Sequence, residues 1–161
     1  MSFDTPIDPA ILRKAFACYP SGVAAVCAMI DDEPVGMAVS SFNTVSLAPP
    51  LISACIQDTS RTWRKLRQAP RVGVSIFTEE HSEQCRQLSQ KEGDRFTGTT
   101  WRTSDLGAMF LADAVAAFDC SLYREAEAGD HSIALLEIHC LTYDPAMAPL
   151  IFHRSSFRQL A

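Results

Sequence analysis

Residues 114–144 read AVAAFDCSLYREAEAGDHSIALLEIHCLTYD, two long strand-like runs with only Gly129 and Asp130 between them. A two-residue joint makes the runs antiparallel neighbours, because a parallel return would need a crossover of roughly a dozen residues or more. Gly129 can take a positive φ, and Asp130 can tie the turn by bonding its own backbone. Further strand-like runs fall at 22–30, 35–42, 50–57, 71–78 and 148–157, with DDEPVG as the turn between the first two.

Helices only fill the connections. Asp8 as an N-cap, followed by Pro9, opens a short amphipathic helix over 8–19 that Pro20, Ser21 and Gly22 end. A second helix, launched by Asp58, Thr59 or Ser60, stops before Pro70. A third covers 79–93 with Gly93 as its terminator, and the stretch from there through Gly107 reads as irregular. Regular β-α alternation is absent, which disfavours a doubly wound parallel sheet. The expected fold is mainly β with α: a small, mostly antiparallel barrel with flanking helices, built by residues 1–161 as one domain.

Composition limits the partners of such a barrel. A formal net charge of -5 offers no clustered cationic face for nucleic acid. No apolar run approaches the roughly 18–20 residues a membrane span needs, and the N-terminus lacks a basic-then-apolar leader, so the expected location is cytoplasmic. Six cysteines, at 18, 27, 55, 85, 120 and 140, include no C-x-x-C pair. Cys27, Cys55, Cys120 and Cys140 lie in apolar runs and read as free structural thiols. The histidines at 81, 131, 139 and 153 show no paired-ligand spacing, so no metal site is expected.

The middle of GMAVSSFNTVSLAPPLISACI, residues 36–56, sets Ser40, Ser41, Asn43, Thr44 and Ser46 between apolar strands. Small polar side chains there would let a backbone approach a ligand closely, or would simply line an exposed strand face. In order along the chain come YPSGVAAVCA, this segment, SRTWRKL, DRFTG, GDHSI and PLIFHRSSF. That succession resembles the flavin reductase-like family of FMN-binding split β-barrels, the short-chain NAD(P)H:flavin oxidoreductases that serve two-component monooxygenases. The likeness runs from about residue 12 to 158, with SLAPPL and GDH its most specific pieces. Two places depart from the family pattern: Leu136 stands where a Gly is usual, and Ser155, Ser156 and Phe157 replace a Gly-x-Tyr-like segment.

The resemblance implies a split β-barrel fold, a homodimer, FMN or FAD as flavin, and NADH or NADPH as hydride donor. It implies that Met37, Ala38, Val39, Ser40 and Ser41 line the isoalloxazine edge, with Asn43, Thr44 and Cys55 continuing the wall. Ser60, Arg61 and Thr62 would cradle the flavin phosphate, joined by Arg95 and Phe96 of the DRF segment. Hydroxyls and a guanidinium suit an anion, although a helix cap with solvated arginines would look the same in sequence. His131 would lie by the flavin face and hold the nicotinamide, which Arg154 and Phe157 help to enclose. The expected activity is an NAD(P)H:flavin oxidoreductase supplying reduced flavin to a partner flavin-dependent monooxygenase. A flavin-binding or electron-transfer barrel without turnover, a pyridoxamine-phosphate-oxidase-like barrel and a ligand-free barrel remain open alternatives.

Overall fold

The computed structural model describes residues 7–160, so the reading of a leaderless N-terminus falls partly outside them. Asp8 does cap α1 (Pro9–Phe16), its Oδ1 accepting from the Ala10 and Ile11 N–H groups at 2.8 and 2.9 Å. The strands are β1 (Ser21–Gly22), β2 (Ala24–Ile30), β3 (Glu33–Val39), β4 (Asn43–Leu47), β5 (Pro50–Gln57) and β6 (Val72–Ile76), with α2 (Arg61–Leu66) between β5 and β6. A 3-10 turn (Glu79–His81) leads into α3 (Ser82–Leu88). Then follow β7 (Trp101–Thr103), β8 (Met109–Leu111), β9 (Ala116–Ala128), β10 (His131–Tyr143), β11 (Ile151–His153) and β12 (Ser156–Arg158).

Seven strands form one antiparallel sheet in the order β3-β2-β6-β9-β10-β5-β4. The sheet curls around an apolar interior without closing, as a split barrel. β2 explains how one barrel serves two cores: its run is apolar at nearly every position and is buried on both faces. Ala24, Val26 and Ala28 point into the barrel with Val39, Ile52, Ile56, Leu66, Val74 and Leu136. Val23, Ala25 and Cys27 point outward into a second core with Phe77, Leu88, Met109, Leu111 and Leu150. At Gly73 of β6 the β8 backbone crosses so closely that a Cβ would overlap the Met109 carbonyl oxygen. Ser75 fixes that crossing by accepting from the Leu111 N–H at 3.0 Å.

The long hairpin of β9 and β10 forms as expected, with Gly129 at φ +73. Other boundaries differ. The strand expected over 35–42 ends at Val39, and Asn43–Leu47 is a separate edge strand whose register shifts between Thr44 and Ser46. The turn expected over 31–36 shrinks to Asp31 and Asp32, both at positive φ. Helices α2 and α3 are shorter than predicted, and α3 ends at the Ser89 cap, before Gly93. The irregular stretch contains the β7–β8 pair, and the final strand is folded into β11 and β12 by Arg154 and Ser155, both at positive φ.

Candidate active site

The site is assembled around the first turn of α2. Ser60 Oγ accepts from the Trp63 N–H at 3.1 Å, capping the helix as a short hydroxyl does. Trp63 and Leu66 are buried beneath it, 5% and 0% exposed, so the helix has one fixed face against the barrel. The Trp63 indole donates to Glu125 Oε1 of β9 at 2.6 Å, and Arg67 pairs with the same carboxylate. A charge-assisted pair of this kind fixes direction as well as distance. Arg61 and Thr62 are thereby held at the open end of the barrel.

The DRF segment reaches the same place from the other side. Asp94 Oδ1 accepts from the Phe96 and Thr97 N–H groups at 2.8 and 3.0 Å, and Thr97 donates its hydroxyl to the other oxygen. These bonds, the Thr97 hydroxyl first, hold the Asp94 carboxyl below the usual carboxylate range. Gln87 of α3 adds donations to the Asp94 and Thr97 carbonyls, both at 3.1 Å. The ordered loop sends Arg95 across to α2 and β3: Nη1 donates to Thr62 Oγ1 and to the Gly36 carbonyl, each at 3.1 Å, while Nη2 donates to the Lys91 carbonyl at 2.9 Å. Phe96 packs edge-on against Trp101 and lies over Gly36, where a Cβ would come within 2.9 Å of its ring.

Between β3 and β5 the Ser-rich segment bridges the split. Ser41 Oγ donates to the Cys55 carbonyl and accepts from the Cys55 N–H, both at 2.9 Å, standing in for a strand partner. Its hydroxyl is therefore engaged on both sides. Asn43 Nδ2 donates to the Ser41 carbonyl at 3.1 Å, and Ser40, Asn43, Thr44 and Cys55 are exposed. Val39 is buried in the barrel core and Met37 packs partly buried against it, whereas Ala38 packs toward the outer core.

At the adjacent hairpin turn, His131 Nδ1 lies 2.7 Å from Asp130 Oδ1. The imidazole, first by its hydrogen bond and then by its charge, holds the Asp130 carboxyl below the usual range. His131 pairs with Gln57 of β5, three residues before the α2 cap. Two more of the predicted residues lie in the β11–β12 hairpin. Arg154 sits in the β11–β12 turn with its N–H on the Ala17 carbonyl at 3.1 Å. Phe157 stacks edge-on with Phe152, with the Arg86 guanidinium 5.0 Å above its ring. Leu136, 2% exposed, fills the barrel opposite Ile52 and Leu122, so that departure from the family pattern is a packing choice. Asp58, Gln87, Glu125 and Ser132 all brace the site; Ser132 ends the GDHS turn segment and Asp58 stood as a candidate helix cap, but the bracing roles depend on pairings between distant strands and helices.

Among the described residues no group of three or more His, Cys, Asp or Glu side chains converges as a metal set, and no helix is long and apolar enough to cross a membrane. The barrel's open end thus offers exposed small polar groups, two arginines and a histidine, a constellation suited to an anionic nucleotide with a planar ring. The flavin reductase like domain matches residues 16–161. The chain is 36% identical over 152 residues to a flavin reductase of Pseudomonas putida, covering 94% of this chain and 89% of that protein. It is 32% identical over 153 residues to the flavin-dependent monooxygenase reductase subunit HsaB of Mycobacterium tuberculosis, covering 94% and 82%. The Streptomyces globisporus NADH:FAD oxidoreductase SgcE6, solved with NAD and FAD fragments, superposes with a TM-score of 0.91 at 32% identity, over 98% of this chain and 97% of that one. This chain belongs to the flavin reductase-like family.

Proposed function

We propose that the chain is an NAD(P)H-dependent flavin reductase, with FMN or FAD as acceptor, that hands reduced flavin to a partner flavin-dependent monooxygenase. The observation that carries this reading is the Arg95 side chain tied both to Thr62 and to the Gly36 carbonyl of β3, the strand that runs into the Ser-rich segment, in a barrel of this family. The donor set fits a flavin nucleotide. Arg61 and Arg95 with the Thr62 hydroxyl would hold the phosphate, and the backbone of Met37–Ser41 with the Ser40 hydroxyl would meet the polar edge of the ring. A bound flavin accepts hydride from the nicotinamide at its own ring, leaving the protein to supply binding, orientation and electrostatics. His131, braced by Asp130, would orient the nicotinamide, and the apolar flank around Phe96 would help to exclude water.

Residues 1–161 act in this reading as one domain, and two copies as a dimer. Clefts of about 330 Å³ beside β8, β9 and β10 and about 480 Å³ below the β2–β3 turn contain none of the site residues. Edge strand β4 exposes Val45 at 49% and Leu47 at 96%, apolar area that a second copy would cover. The phosphate assignment is tested by Arg61→Ala combined with Thr62→Ala, comparing FMN with riboflavin by fluorescence quenching. FMN should weaken by about tenfold or more and riboflavin by no more than about twofold; equal losses would remove the assignment.

A further inference from the structure

We infer that Asp58 is the positioning residue for His131: it grips the chain on both sides of the histidine and ties it to the β5–α2 connection. Its backbone N–H donates to the Asp130 carbonyl at 3.1 Å, and its Oδ1 accepts from the Ser132 hydroxyl at 2.8 Å. The two bonds bracket His131, one residue before it and one after. The ring itself is held by Asp130 Oδ1 on Nδ1, which leaves Nε2 as the end presented outward. Asp58 also stands two residues before the Ser60 cap, its carbonyl accepting from the Arg64 Nη2 at 3.5 Å. One residue thus sets the spacing between the histidine and the first turn of α2.

The hairpin turn would otherwise be a poor platform. Gly129 and Asp130 are exposed and joined to no core, and a two-residue turn at the end of a long ribbon has little to fix it beyond its own strand bonds. Glu125 holds α2 to β9 four residues before Gly129, through Trp63 and Arg67. Asp58 supplies the matching tie at the tip. The aligned geometry needed for hydride transfer is lost over displacements of about 1 Å, so a tie of this kind acts on nicotinamide placement more than on flavin affinity.

This inference rests on the reductase reading, and the test separates the two. Ser132→Ala and Asp58→Ala, made in the full chain, should each raise KM for NADH or NADPH about tenfold while flavin affinity stays within about twofold. Asp58→Asn still accepts from Ser132 and should restore most of the loss. Combined with His131→Ala, Ser132→Ala should add nothing, because a residue acting only through the histidine has nothing left to act on. Additive losses, an unchanged KM in both variants, or a fall in flavin affinity parallel to the rise in KM would overturn the inference. Ser132→Ala removes a single bond and keeps the test usable where Asp58→Ala does not fold. If the wild-type protein oxidises no nicotinamide with either flavin, the reductase reading fails, and ¹⁵N spectra of the His131 ring then decide the positioning claim. A single Nδ1–H tautomer in the wild type that becomes mixed in Ser132→Ala supports it; a ring unaffected by the substitution overturns it.

Discussion

Cys18, Cys55 and Cys140 are exposed, whereas Cys27, Cys85 and Cys120 are buried. Burial pushes the Cys85 thiol up to about 11 and the Cys120 thiol up to about 12, and raises Cys27 as well, so none of the three supplies thiolate near neutral pH. Titration with a chromogenic disulfide should therefore find three fast thiols in the folded protein and all six after denaturation, and bound flavin should slow one, Cys55. Flavin that slows none would remove Cys55 from the site. At this scale the sequence showed residue type better than residue duty. Ser41 and Ser60 were legible as small polar groups near a ligand, yet one hydroxyl bridges to Cys55 and the other caps α2. A hydroxyl's partner depends on which strands lie side by side, and Ser41 and Cys55 are fourteen residues apart. The Gly-Asp turn before His131 was legible locally, whereas the role given to His131 came from the family resemblance alone.

Two elements carry stability predictions. Gly73→Ala would drive a Cβ into the β8 backbone at Met109, a clash no rotamer can relieve, and should cost on the order of 3 kcal/mol in a urea melt. Gly22→Ala, which meets nothing within 4 Å, is the matched control and should shift the midpoint little. Comparable losses in the two would contradict the close crossing. The 3-10 turn before α3 predicts a pH effect. His81 Nδ1 accepts from the Thr78 N–H at 3.2 Å, and burial holds its pKa below the usual 6.5 against the opposing pull of Asp113 and Glu80. The unfolded chain then binds the proton more readily than the folded one, so this contribution falls as pH drops below 6.5 toward the folded value and is restored above 6.5. His81→Gln should flatten that part of the urea midpoint's pH profile; an unchanged slope would contradict the assignment. The long hairpin, α1 with its Asp8 cap and the strand at β2 were legible because their signals are local. Asn43–Leu47, Trp101–Thr103 and Met109–Leu111 were not: they are short, and their strand character comes from pairing rather than from their own residues.

The whole molecule divides its labour between a barrel that fixes backbone positions and an open end that presents them. Strand order β3-β2-β6-β9-β10-β5-β4 leaves β3 and β4 as the two edges, and the Ser41–Cys55 bridge spans the gap beside which the flavin is proposed to lie. That topology was only partly readable from sequence, since the hairpins were visible but the β6–β9 and β10–β5 pairings join segments far apart in the chain. The resemblance carried by SLAPPL and GDH supplied the architecture that periodicity alone left open. A barrel of this kind should behave as a catalyst whose flavin is consumed and released, not as a flavin store. The direct test is an anaerobic absorbance titration: protein with a large molar excess of FMN or FAD, then NADH or NADPH, following the oxidised-flavin band. Rapid bleaching of many flavins per protein chain is the predicted result; bleaching limited to the bound fraction, or none with either nucleotide, would contradict the reductase.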